Sequence, residues 1–324
     1  MDPLSDVFAL LKVESVLSAR VEAAGPWALR FPAYRHVKFG GVIEGARWLW
    51  IDGSSERVKL NPGDFYLLTD GRPYCFASDL AAPVLEGVEV MAANLCNDGV
   101  VRFGAGHPQT IGAGGRFVFD QEMSGWLVDL LPPVIVIRGD SPQARSLRPA
   151  LELIQLETET VRPAATVIAA SLASIVLVNI LRAHLASEVP PVGWLGALGD
   201  PKIGEALRYM HAEVQRNWKV ADLATAVAMS RTSFSERFRA KVGLPPLEYL
   251  TRWRMTLARH VLRSDTDTLA TIANKIGYDS ETAFGLAFKR MFNESPGRYR
   301  ARMRVAGSGL SNPASQILEP AFEG

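Results

Sequence analysis

Between residues 230 and 304 this chain repeats itself, and that repeat constrains the fold more than any other feature. Displaced by 50 positions, Ser230 falls on Ser280, Thr232 on Thr282, Phe234 on Phe284, Phe238 on Phe288, Pro246 on Pro296, Tyr249 on Tyr299, Arg252 on Arg302 and Arg254 on Arg304, eight identities in 25 aligned positions. Unrelated segments would share about one or two, so a single supersecondary unit is present twice. Upstream, Leu223, Ala224 and Val227 echo Ile272, Ala273 and Ile276, with one residue more before Ser280.

Each copy places Leu or Ile beside Ala, then a tight turn, then a serine and two phenylalanines four apart. Small Ala224 and Ala273 let two helices cross closely, and Ser230 and Ser280 suit the N-cap of the second helix, whose first amides lack backbone partners. Residues four apart share a helical face, so Phe234 with Phe238, and Phe284 with Phe288, point inward. Arg231, Thr232, Ser235, Glu236 and Arg239 are then the outward candidates in the first copy. Glu281, Thr282, Gly285, Leu286, Lys289 and Arg290 are their counterparts in the second. Gly243 and Asn293, each followed by proline, suit left-handed C-caps. Between the copies, Pro246 to Arg263 predicts one helix of 18 residues, about 27 Å long by rise. This is a duplicated helix-turn-helix on a rigid spacer, and one turn of DNA is ~34 Å, so two recognition helices can read successive major grooves.

Charge supports that reading. Residues 1–199 hold 16 Lys and Arg against 21 Asp and Glu, whereas residues 200–304 hold 19 against 11 and the rest none against two. The overall charge of +1 thus hides a block of net +8, suited to a polyanion, and duplex DNA is the expected partner.

The first half reads differently. From about residue 27 to 138, short strand-like runs (FGGVIEG, ARWLWIDG, RVKLNPGDFYLLTDGRPYCF, VLEGVEVMAANL, RFVF, VIVIRGD) alternate with Gly, Asp, Asn and Pro punctuation, the pattern of a sandwich or barrel. Two helices follow, one from Ser146 to Glu159 and one from a first-turn Pro163 to about Ala186. Ala164 to Leu181 carries no charge over 18 residues. Thr166, Ser171, Ser174 and Asn179 dilute it and interfacial anchors are missing on its N-terminal side, so it predicts a buried or subunit-facing helix, hence a homodimer, rather than a membrane span. The expected organisation is an α+β chain: a barrel with its helices over 1–186, a Pro/Gly-rich linker over 187–199, an all-α DNA-binding domain over 200–304 and a disordered tail over 305–324. Asp2, Asp6, Lys12 and Glu14 break up the first apolar runs, which argues against a signal peptide, and two isolated cysteines fit a reduced, cytoplasmic setting.

The runs MSRTSFSERFRAKVGLPPLEYLTRWRM and IANKIGYDSETAFGLAFKRMFNESPGRYR resemble the two-helix-turn-helix domain of the AraC/XylS transcription regulators, and PPVGWLGALGDPKIGEALRYMH with LNPGDFYLLTDGRPY resembles its subgroup with a cupin-type N-terminal sensor. The resemblance implies promoter DNA and RNA polymerase as partners, a barrel that binds a small effector and often dimerises, and no catalysis. Two departures stand out. Gly285-Leu286 occupies the place of a small polar residue and Arg, so Leu286 either touches a thymine methyl or is a silent surface residue. Asn293 replaces a Gly, which is mild because Asn tolerates the left-handed region.

Rival readings rest on specific residues. A metal cupin needs two or three histidines and a carboxylate, but the barrel offers only His36 and His107, with Tyr74 where a ligand after the PGD turn would be sought. No metal or other cofactor is expected. A methyl-accepting cysteine needs an activating neighbour, which neither Cys75 nor Cys96 has in sequence. A constitutive DNA binder without effector is the third alternative. Trp48 and Trp50 alternate onto one strand face, and Tyr66 and Leu68 onto one face of another; such aromatics fill a core or line a pocket. His36, Trp48, Trp50, Tyr66 and Tyr74 are the expected effector-binding residues, with His36 and Tyr74 as the polar groups.

Overall fold

Strand periodicity and glycine punctuation in the first half build two facing sheets. The computed structural model describes residues 2–11, 14–118, 126–159, 163–186, 193–264 and 267–308. The strands are β1 (Glu14–Ala23), β2 (Ala28–Phe31), β3 (Val37–Glu44), β4 (Arg47–Ile51), β5 (Val58–Leu60), β6 (Phe65–Leu68), β7 (Tyr74–Ala77), β8 (Val84–Glu86), β9 (Val100–Phe103), β10 (Thr110–Val118) and β11 (Val134–Ile137). Helices α1 (Pro3–Leu11) and α2 (Gly87–Ala93) are the first two in chain order. One sheet runs β11-β6-β3-β10-β1-β9 and the other β5-β4-β7-β2-β8. The core around Leu49, Leu60, Leu68, Val42, Tyr66 and Phe76 lies between them. Asp64 of the PGD turn is buried, and its carboxylate accepts from the amides of Asn61 and Gly139 and from Arg138, which ties the turn before β6 to the end of β11.

Helices α3 (Arg148–Glu159) and α4 (Ala165–Leu185) follow the barrel and pack on each other, α4 lying against β1 and β11. Helix α4 begins two residues after Pro163, because Ala164 takes a left-handed conformation with φ 62°. The uncharged segment has two faces. Leu172, Ala173, Val176, Leu177, Ile180 and Leu181 are buried, while Val167, Ile168 and Ile175 are exposed, as are Leu153 and Leu156 of α3. No helix among the described residues is long and apolar enough to cross a membrane.

The second compact unit comprises α5 (Gly193–Ala197), α6 (Pro201–Ala212), α7 (Val220–Ala226), α8 (Arg231–Val242), α9 (Pro246–Ser264), α10 (Leu269–Lys275), α11 (Glu281–Phe292) and α12 (Pro296–Ser308). It differs from the sequence expectation at both its borders. Residues 193–199 are not free linker: α5 buries Trp194 and Leu195 and packs on α8. The start of the chain belongs here as well, since α1 packs on α6 rather than joining the barrel. His211 of α6 explains the attachment. Its ring, fully buried, meets the Asp6 carboxylate at 3.2 Å through Nδ1 and the Tyr249 hydroxyl at 2.8 Å through Nε2, and stacks on Trp253 at 4.1 Å. The expected tail, from 309 onward, lies outside the described residues.

Candidate nucleic-acid interface and barrel cavity

The repeat in the sequence is a repeat in space. In the first copy the Ser230 hydroxyl accepts from the Ser233 amide, and in the second Ser280 accepts from Ala283, each at 3.2 Å. Phe234 and Phe238 lie 5.6 Å apart, Phe284 and Phe288 5.7 Å apart, and all four are fully buried. Tyr249 closes the first pair edge-on and Tyr299 the second. Gly243 and Asn293 end their helices in the left-handed region. The turn between helices is also shared: the Met229 amide bonds back to the Ala224 carbonyl as Tyr278 does to Ala273, a Schellman closure around a left-handed residue. That residue is Gly277 in the second copy but Ala228, at φ 52°, in the first.

With the phenylalanines committed to the core, Arg231, Thr232, Glu236 and Arg239 are exposed on α8, and Glu281, Thr282, Lys289 and Arg290 on α11. Ser235 is half-buried, and its hydroxyl donates to the Arg231 carbonyl, leaving only lone pairs to offer. Arg237 is occupied elsewhere: its guanidinium binds Asp200, the N-cap of α6, at 2.8 and 3.0 Å. Buried hydrogen bonds to that carboxylate hold it below its ordinary pKa against the opposing effect of burial. Leu286 is 67% exposed beside Gly285, around which there is open space. Helix α9 has 19 residues, about 28 Å by rise, the spacer length the sequence implies.

Inside the barrel lies a cavity of about 130 Å³. Its walls are aromatic: Phe31 stacks on Tyr74 at 5.0 Å, Tyr66 lies 5.2 Å from Phe76, and Trp27 meets Phe103 edge-on. Of the expected effector residues, Tyr66 and Tyr74 line this space. Trp48, Trp50 and His36 do not. The correction lies in the phase of β4, whose inward positions are Arg47, Leu49 and Ile51; the two tryptophans sit half-buried on the opposite face, beneath Lys59 and Arg57 respectively. Polar groups that the sequence reading passed over, Tyr34, Lys38 and Arg47, line the cavity instead. Burial pushes the Tyr34, Tyr66 and Tyr74 phenols upward, so all three are neutral donors at ordinary pH. Burial together with neighbouring Arg116 pushes Lys38 down to about 8.

Known proteins of two kinds match this architecture. A cupin family model matches residues 2–186, and a helix-turn-helix domain model matches residues 223–302. An AraC-like transcription regulator of Streptomyces lividans is 45% identical over 93% of this chain and 98% of its own length. The chain belongs to the AraC family. Another AraC-like regulator, from Streptomyces antibioticus, is 42% identical over 93% of the chain and 98% of its own. The HTH-type transcriptional regulator AlkR of Acinetobacter baylyi is 30% identical over 93% and 99%. This AraC-family chain is therefore a DNA-binding transcription regulator with a cupin-like N-terminal domain. Its relatives are named as regulators rather than enzymes. Among the described residues, no three His, Cys, Asp or Glu side chains gather to hold a metal. Burial lifts the Cys75 thiol to about 11, the reverse of what a nucleophilic cysteine needs.

Proposed function

We propose that α8 and α11 enter successive major grooves of promoter DNA, that Arg231, Thr232, Ser235, Glu236 and Arg239 with Glu281, Thr282, Lys289 and Arg290 form the contact set, and that a small molecule in the barrel controls the outcome. What supports this reading is the same division in both copies, two phenylalanines sealed inward and a mostly polar face, with more cations than carboxylates, left to solvent. Arg239 and Lys289 are equivalent positions that suit phosphates. Glu236 suits a cytosine amine, whose N–H a carboxylate can accept. Leu286 adds an apolar point that fits a thymine methyl.

The regulator acts as a homodimer, with a second copy covering the exposed apolar residues of α3 and α4, and it works in the cytoplasm on RNA polymerase. The effector acts by favouring one arrangement of the protein over another, since equal affinity for both would shift nothing. The test is affinity for genomic fragments selected by the purified protein, measured against salt. Neutralising about 5 phosphates gives a slope of log affinity on log salt near −4 to −5, and an affinity indifferent to salt would overturn the reading.

A further inference from the structure

Among the described residues, no carboxylate balances the buried guanidinium of Arg47 in the barrel. Arg47 is 7% exposed, and its guanidinium donates one hydrogen bond, from Nη2 to the Gly41 carbonyl at 3.1 Å, while Nε has no partner. Lys38, one β3 turn of the pleat from Gly40, faces the same space, with Arg116 opposite it on β10. The Tyr34 ring, 5.8 Å from the Lys38 ammonium, is buried on the same wall, and its hydroxyl makes no hydrogen bond. None of the described residues lining the cavity is acidic. The Phe76 ring, 5.6 Å from the Arg47 guanidinium, offsets part of the charge, but a buried cation normally requires a carboxylate or a full set of acceptors.

The space around these groups is made by missing side chains. A Cβ on Gly112 would stand 1.9 Å from Arg47 Nη2, and one on Gly40 would stand 2.3 Å from the Tyr66 hydroxyl. Two strands have thus given up side chains on their inward faces where the guanidinium and the phenol lie. A core that needed only filling would use apolar residues here.

We propose that the cavity binds an amphipathic organic anion, a carboxylate carried on one ring or a short acyl chain. Arg47 anchors the carboxylate, Lys38 adds a second positive charge on the same wall, and Phe31, Tyr74 and Phe103 enclose the apolar part. Size agrees: a cavity of about 150 Å³ takes a benzene ring, and this one is about 130 Å³. The proposal rests on the reading that the barrel is an effector site, and adds the chemistry of what it accepts.

Titration calorimetry on the full chain separates the two. Phenylacetate and hexanoate are compared with phenylacetamide and hexanamide, which keep the shape and lose the charge. The carboxylates should bind at least 30-fold more tightly, and inorganic phosphate should fail to compete because it cannot use the apolar walls. Arg47→Gln should remove the preference for the acids and, with no ligand present, raise the melting temperature, since it relieves an unbalanced charge. Lys38→Gln should weaken the preference with the fold intact. Equal affinity for acid and amide overturns the anion assignment while leaving the cavity an effector site. Binding of none of the four probes by protein that still binds DNA overturns the assignment and the effector reading together. A fall in melting temperature in Arg47→Gln with unchanged acid preference would make Arg47 a structural residue and also defeat the proposal.

Discussion

Ala228 offers a sharp test of whether the two helix-turn-helix copies obey the same backbone rule. It sits at φ 52° in the turn before α8, where the second copy has Gly277 at φ 83°. A left-handed conformation costs an L-residue roughly 1–2 kcal/mol, and glycine nothing. Against that, glycine adds about 0.4–1 kcal/mol of freedom to the unfolded chain. Ala228→Gly should therefore stabilise the unit by about 0.5–1 kcal/mol. In the reciprocal change the same terms act with opposite sign, and a steric one is added. A Cβ on Gly277 would stand 2.5 Å from Arg254 Nη2 and 2.8 Å from the Gln215 carbonyl. Arg254 cannot withdraw freely, because Nε and Nη2 donate to the Val214 and Arg216 carbonyls. Adding the left-handed penalty to one lost hydrogen bond of about 1 kcal/mol, less the roughly 0.4–1 kcal/mol of unfolded-chain freedom that alanine removes, gives a destabilisation of about 1–2.5 kcal/mol for Gly277→Ala. Urea titration of the full chain, read by hydrogen exchange of peptides from α7–α8 and α10–α11, assigns each effect to its own copy. A loss of protection in Ala228→Gly, or the same sign in both variants, would refute the reasoning.

Arg239→Ala should weaken DNA binding and reduce the salt slope by about one, whereas Arg237→Ala, which releases Asp200 at the cap of α6, should lower stability and leave the slope unchanged; both are read from one salt titration. Ile175→Asp, at an exposed position, should give soluble monomers in sedimentation, while Val176→Asp, one residue on and fully buried, should unfold the barrel unit instead. Lys38 gives a pH signature. Its folded pKa, near 8 against 10.5 for a free lysine, means that the unfolded chain holds more protons in that interval, so stability should rise as pH climbs from 8 towards 10. Arg116 and the Tyr34 ring are its neighbours, and the Tyr34 phenol, pushed up by burial, stays neutral over that interval. The difference between wild type and Lys38→Met isolates this group from Cys75, whose raised pKa gives the opposite slope above pH 9, and a flat difference would refute the assignment.

What the sequence disclosed depended on how local the signal was. Ser230 capping Ser233, the Phe234 and Phe238 spacing and the left-handed Gly243 are decided within a few residues, and duplication doubled the evidence for each. The cavity needed the phase of one strand. In RWLWI the two tryptophans drew attention, yet inward and outward positions differ by a single residue, and only the opposite sheet decides which set faces in. A usable hint was present in the glycines of FGGVIE and TIGAGGRFV, which read as turn punctuation, although Gly40 clears room for Tyr66 and Gly112 for Arg47. Helix α4 divided its apolar residues between two uses, which an 18-residue window averages away. The docking of α1 had no local signal at all, because Asp6 meets His211 across 205 positions of chain.

That last contact changes the topology of the molecule. The barrel is an insertion: the polypeptide leaves the DNA-binding unit after α1, completes the whole barrel with α3 and α4, and returns to the same unit at α5. The two units are thus joined at two crossings rather than one. A single proteolytic nick between α4 and α5 would leave the fragments held by α1, and they should travel together through a sizing column. A fragment cut to begin at α5 would instead leave His211 without its Asp6 partner. The smallest honest DNA-binding module of this protein is consequently not a continuous stretch of sequence, and a graft of its recognition helices onto another sensor must carry the first eleven residues with it.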